Sequence, residues 1–161
     1  MGLVAMQLAQ TLSKPLVRQR EPKPTDVFLT ERTISPLGPQ HHPDESATDA
    51  LGRIAYQKLV GRQPSPRMKN RLSWGVHIGY GLFVASLYGL TRGGRTRRPL
   101  RDGLLFGTGL WLFGEELAVP LLGLGDKPTA YHPTLHLQTL LAHLGFGLAT
   151  AGATQLVEAR S

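Results

Sequence analysis

Polar and apolar positions divide this chain into two unlike stretches. From Met1 to Arg71, polar, charged and proline positions dominate. From Leu72 to Val157 the apolar residues gather into three blocks, none containing Lys or Arg. Leu72–Leu90 has nineteen residues and no formal charge, Gly103–Gly125 has twenty-three with one acidic pair, and Thr134–Val157 has twenty-four whose only ionisable groups are two histidines. A helix needs roughly 20 residues to cross the hydrocarbon core, and it satisfies its backbone within one segment. Each block is long enough, and none has the polar face that a buried hairpin of a water-soluble protein would need. The pattern predicts an all-α integral membrane helical bundle with three long transmembrane helices.

The amino-terminal stretch carries a weaker signal. Gly2–Leu12 is apolar but short, interrupted by Gln7 and Gln10, and reaches roughly half the bilayer core at about 1.5 Å per residue. It reads either as a short helix continued by Ser13–Val17 into a fourth span or as an interfacial helix. With no basic n-region and no small-residue cleavage site, it makes a poor signal peptide. Pro22, Pro24, Pro36, Pro39 and Pro43 break any long helix thereafter, with a short one expected to begin near Asp26. Ser46 followed by Asp49 resembles a capping box. Leu51, Ile54, Ala55, Lys58 and Leu59 then repeat at helical spacing until Gly61. This amphipathic helix is expected on the membrane surface or against the bundle, with Gln63–Pro66 as a hinge. Residues 1–71 thus form an N-terminal region of short apolar helix, Pro-rich polar segment and amphipathic helix, and residues 72–161 a three-helix transmembrane domain.

Composition sharpens this picture only when taken by region. An apolar fraction of 41% and a mean hydropathy of -0.12 describe the average of the two stretches and suit neither. The absence of cysteine excludes disulfides, thiolate catalysis and Cys-ligated metal. Residues 13–71 carry a net +5, Thr91–Arg101 adds five arginines and no acid, and the remainder is net −3. An arginine cluster between two apolar blocks points to an anionic membrane surface rather than nucleic acid, and it has no interleaved aromatic to stack bases. Short Arg-dense loops obey the positive-inside bias, which places the 91–101 loop in the cytoplasm and Asp126–Pro133 outside. The same orientation puts Met68–Arg71 outside, against the bias.

Ionisable groups within a span are costly and mark functional sites. There are five: His77, Glu115, Glu116, His136 and His143. With consecutive spans antiparallel, His77, Glu115 and His143 fall roughly 8, 15 and 14 Å from one membrane face, and His136 roughly 3 Å. His136 and His143 lie within about 20° on a helix, with Thr139, Gly147, Thr150 and Thr154 near the same stripe, while His77, Tyr80, Val84 and Tyr88 share another face. On an α-helix Glu115 and Glu116 diverge by about 100°, so one points inward. Glu115 is favoured because it shares a face with Trp111 and Ala118. The expectation is an intramembrane polar cluster of His77, Tyr80, Glu115, Glu116, His136 and His143. Three uses stay open: hydrogen bonding between helices, proton passage, or a divalent metal held by His77, Glu115 and His143. No other cofactor is expected.

The glycines predict where helices meet. Gly75 with Gly79, Gly103 with Gly107, and Gly145 with Gly152 form small-residue stripes that mark contacts within one chain or between copies. Trp74, Tyr88 and Tyr131 are interfacial anchors, whereas Trp111 is too deep for one and packs. The Gly123–Thr129 segment has the look of a phosphate loop but lacks GxxxxGK[ST], and Pro128 stands where the helix should begin.

The run Trp74-Gly-Val-His77-Ile-Gly-Tyr80-Gly81, then Tyr88-Gly89, Gly103-x-x-x-Gly107, Trp111, Glu115-Glu116, Pro120 and His143, resembles the YagU-like family of small bacterial inner-membrane proteins over roughly residues 72–150. The resemblance implies a multi-pass location in the bacterial inner membrane and a four-helix fold, with no particular reaction. The short first span departs from that pattern. The leading expectation is a non-enzymatic accessory or interaction subunit of the plasma membrane, whose partners are the lipid bilayer and other membrane subunits or further copies of itself. The alternatives are a proton- or ion-linked transport component built on the His/Glu cluster and, third, an intramembrane metalloenzyme.

Overall fold

Each of the three long helices opens on a proline, a residue whose fixed φ suits the first helical turn and whose missing N–H is not needed there. The structure, a computed structural model, describes residues 32–92 and 98–160. Among these there is no strand. Helix α1 spans Ala47–Val60, α2 Pro66–Arg92, α3 Pro99–Leu121 and α4 Pro133–Glu158. The expected helix at 2–12, its continuation to residue 17, the helix near Asp26, and Arg95 and Arg97 of the loop lie outside the described residues. Among the described residues two helices, α3 and α4, are long and apolar enough to cross a membrane. Helix α2 is as long but less apolar. It starts six residues before the apolar block, taking Arg67, Lys69 and Arg71 into its first turns, and His77, Tyr80 and several glycines dilute the rest.

The chain forms two compact units, and the division falls inside α2 and α3 rather than near residue 71. The first unit, described over 82–92, 98–115 and 131–160, is a bundle of the end of α2, most of α3 and all of α4. Phe106 joins Tyr88 of α2, at 4.6 Å between ring centroids, to Phe146 of α4 at 6.3 Å. The α3–α4 seam is lined by small residues. A Cβ on Gly103 would sit 3.0 Å from Leu148 Cα, one on Gly107 would collide with the His143 carbonyl, and one on Gly147 with the Gly103 carbonyl. Gly75, Gly79, Gly145 and Gly152 are different: an added Cβ meets nothing within 4 Å. The close approach in this unit is carried by Gly103, Gly107 and Gly147.

The second unit, described over 32–81 and 116–130, is held by polar contacts. Ser46 and Asp49 form the reciprocal capping box at the start of α1, and Gly61 closes that helix. Helix α1 packs on α2 where Gly52 meets Leu72, beside a 2.9 Å bond between Thr48 Oγ1 and Ser73 Oγ. Helix α3 ends in a Schellman turn: Gly123 takes φ 71°, and the N–H groups of Gly123 and Leu124 bond back to Pro120 and Val119. The outward Gly123 carbonyl accepts three donors from the 32–45 strap, the Gln40 and His41 N–H groups and His41 Nδ1–H. A side chain at Gly123 would strike the Gly38 carbonyl. Asp126 adds ion pairs to Arg32 at 2.9 Å and His41 at 3.5 Å.

Glu45 ties this strap to both helices. Its side chain is 1% exposed and takes Arg53 Nε of α1 at 2.9 Å and Lys69 Nζ of α2 at 2.8 Å, along with the His42 N–H. Arg53 also reaches the Gln40 carbonyl and Gln57 Oε1. Burial works to raise the Glu45 pKa, but the hydrogen bonds from Arg53, Lys69 and His42 and the Arg53 charge outweigh it, bringing the group down from 4.5 to about 2.

Two predictions follow from these contacts. A carboxylate with a depressed folded-state pKa stabilises fully above its unfolded value and loses that contribution as pH falls through the folded one. Glu45 should therefore contribute on the order of 3 kcal/mol at neutral pH, draining away between about pH 4.5 and about 2. Chemical unfolding in detergent checks this: Glu45→Gln should be markedly less stable than wild type at pH 7, with the gap narrowing toward pH 2. In the seam, Gly107→Ala should cost about 1–3 kcal/mol through overpacking, while Gly79→Ala, facing open space, should stay within roughly 0.5 kcal/mol of wild type. Thermal unfolding of both variants in one detergent measures the contrast.

Candidate functional site

Once glycines let α3 and α4 touch, their register is set. Each step of four along α3 meets a step of four back along α4: Gly103 opposes Gly147, Gly107 opposes His143, and Trp111 opposes Thr139. At the third step the contact becomes polar. Trp111 Nε1–H donates to Thr139 Oγ1 at 3.1 Å, and the Thr139 hydroxyl donates onward to the His136 carbonyl at 3.1 Å. The Thr139 carbonyl receives His143 Nδ1 at 2.8 Å. A carbonyl only accepts, so Nδ1 carries the proton and Nε2 is the acceptor nitrogen of the neutral ring. Thr139 and His143 are both buried, and the His136 ring lies edge-on to Tyr131 at 6.3 Å. Thr139 is the hub of this site.

Beyond Trp111 the helix changes form. Trp111–Ala118 is a π-helix, followed directly by a short α-turn containing the fully buried Pro120. Proline has no N–H and its ring crowds the carbonyl four residues earlier, here that of Glu116, so the i→i−4 ladder cannot continue normally into this turn. In a π-helix the bond runs from i to i+5. Glu115 and Glu116, four and five residues on from Trp111, therefore share the next turn, and both are half-buried. The divergence of about 100° expected of them belongs to an α-helix, which this segment is not.

The expected cluster is distributed over both units. Glu115, His136 and His143 belong to the first, and His77, Tyr80 and Glu116 to the second. His136 and His143 share the expected stripe and are linked through Thr139. His77 is half-buried and Tyr80 is exposed. Among the described residues no three of His, Asp and Glu form a group able to hold a metal ion.

Sequence reasoning placed Thr139 on the histidine stripe without giving it a role, because a neutral hydroxyl raises no alarm in an apolar block. Its spacing of three from His136 and four from His143 was the available signal. The Gly123 receptor was visible as a turn, since Gly-Leu-Gly-Asp marks one, but nothing in the sequence told which segment would bond to it. Compared with known proteins, the chain matches no family model, no curated protein and no solved structure.

The hub yields its own test. Thr139→Val keeps the shape but removes the acceptor for Trp111, which should cost about 1–3 kcal/mol and shift the indole emission. In a Trp74→Phe background, where Trp111 is the sole tryptophan, fluorescence reads that shift directly. A double-mutant cycle with Trp111→Phe should give a coupling of about 0.5–1.5 kcal/mol.

Proposed function

We propose that this chain is a multi-pass integral membrane protein of the bacterial inner membrane, in which α2, α3 and α4 each span the bilayer, and that it acts as a non-enzymatic accessory or interaction subunit. One observation carries the reading. Large apolar side chains along these helices are turned outward, with Leu82 at 60%, Phe83 at 65%, Phe113 at 64% and Leu141 at 58% exposure, while the α3–α4 seam buries glycine, alanine, threonine and histidine. Water would drive leucine and phenylalanine inward. Hydrocarbon does not, and helices then associate through small residues, close packing and interhelical hydrogen bonds. The YagU-like spacing over 72–150 accords with the same assignment. On this reading the 91–101 loop is cytoplasmic, the 126–133 loop external, and the 2–17 segment supplies either a fourth span or an interfacial helix.

The polar groups of the seam are directed at one another, Trp111 to Thr139 and His143 to Thr139, which suits a packing role. A second reading, a proton-linked transport component, draws support from the π segment carrying Glu115 and Glu116, because such segments recur at functional sites.

Alkaline carbonate extraction of cell membranes should leave the full chain in the pellet, and release into the supernatant would refute the membrane assignment. Thr129→Cys, at an exposed position of this cysteine-free chain, should react with an impermeant maleimide in intact spheroplasts. Reaction only after lysis reverses the orientation. If His143→Ala and Glu115→Gln leave proteoliposome proton flux at the level of empty vesicles and of wild type alike, the transport reading fails.

A further inference from the structure

Helix α1 wears its amphipathicity inside out. The face packed on α2 and the strap carries Ala50, Gly52 and the paired Arg53, all buried, whereas Leu51, Leu59 and Val60 are exposed, Leu59 to 86%. Leu51, Ala55, Lys58, Leu59 and Arg62 follow at intervals of four, three, one and three, so they form one outward stripe. A protein surrounded by water gains nothing from that arrangement.

The charge of this region is equally one-sided. Between residues 50 and 81 there is no Asp or Glu. Of the six cations there, Arg53 and Lys69 are bound to Glu45. Lys58, Arg62, Arg67 and Arg71 are all exposed, and among the described residues none of the four makes an ion pair. They cluster at the elbow where Gly61–Ser65 joins α1 to α2. The acids nearest in sequence are at the other end of α1: Asp49 is engaged in the cap, roughly 14 Å from Lys58 by helical rise.

We infer that the outward face of α1 and the basic elbow dock on the anionic phosphate headgroups of a bilayer surface, an inference that rests on the membrane reading of α2. The order of residues along that one rigid helix favours lipid over other anionic partners. Arg67 and Arg71 come first, then the exposed Trp74, then exposed Ile78, Leu82 and Phe83, within roughly 24 Å. Charge, aromatic ring, then aliphatic chain is the order of headgroup, interface and hydrocarbon. A helix with Leu51 and Leu59 between cations fits the boundary where acyl chains meet phosphates. A nucleic acid backbone would satisfy the cations and leave the leucines in water.

The test uses the full chain with Leu59→Cys, and separately Leu82→Cys, each labelled with bimane and reconstituted in nanodiscs of phosphatidylcholine with or without phosphatidylglycerol. The Leu59 label should be quenched by a lipid carrying its spin label near the headgroup. That quenching should fall at least about twofold in phosphatidylcholine alone, in high salt, and in the combined Arg62→Gln, Arg67→Gln and Arg71→Gln variant. The salt titration needs no further substitution, so a folding defect of the triple variant leaves the test intact. Equal quenching in both lipids overturns the inference. So does a Leu59 label open to aqueous iodide in both, or one shielded from iodide and lipid quencher alike, which would mean that protein covers the face. The Leu82 label with a deep acyl-chain quencher reads the span separately: its silence beside a responding Leu59 label sinks the spanning of α2 and leaves the docking, and the reverse result sinks the docking alone.

Discussion

At Gly103, Gly107 and Gly147 the backbones of α3 and α4 approach so closely that a single added carbon on either helix would strike the other. That contact fixes the register from which Trp111 meets Thr139, and from which His136 and His143 take their places around one hydroxyl and one carbonyl. The site is thus a consequence of steric exclusion. Glycine spends the space, and the polar groups one turn further along make use of the resulting proximity. Histidine buried in this seam is held by its own helix through Thr139, and the indole supplies the bond across to α3.

The second unit obeys a different rule. Its segments are short and polar, and they are organised around two acceptors: the Glu45 carboxylate, which gathers a strap and two helices, and the Gly123 carbonyl, which gathers three donors from that strap. Breaking a buried ion pair by removing one partner leaves an uncompensated charge, so Glu45, Arg53 and Lys69 stand or fall together. Their mutual neutralisation is also what isolates the remaining cations. Lys58, Arg62, Arg67 and Arg71 are left as a field with no acid on their side of the unit.

Much of this architecture was legible in residue order. The capping box at Ser46 and Asp49, the stop at Gly61, the helical state of all three apolar blocks and the Gly103–Gly107 contact follow from local chemistry that needs no tertiary knowledge. What resisted reading was whatever depends on partners distant in sequence. Gly75 and Gly79 have the same spacing as Gly103 and Gly107, yet only the second pair meets another backbone, because spacing states that a close approach is permitted and not that it occurs. The start of α2 at Pro66 was hidden because Arg67, Lys69 and Arg71 are unlike an apolar span, although they are good helix formers. The π segment was hidden because Pro120 acts on carbonyls upstream of itself, an effect that a strict 3.6-residue projection cannot represent.

That segment has a consequence for how α3 tolerates change. A π-helix behaves as an α-helix with one residue too many in the turn, so the positions after Trp111–Ala118 are out of α-helical phase with those before it. Deleting one residue between Leu112 and Leu117 would let the helix relax to regular geometry. It would also swing Pro120 and Gly123 by about 100° relative to Gly107 and Trp111. The surplus residue is a phase shifter, letting a single rod present its glycine seam in one azimuth and its Schellman carbonyl in another. Length in this helix is therefore under tighter constraint than composition: a leucine exchanged for a methionine changes one contact, whereas a missing residue re-aims everything downstream of it.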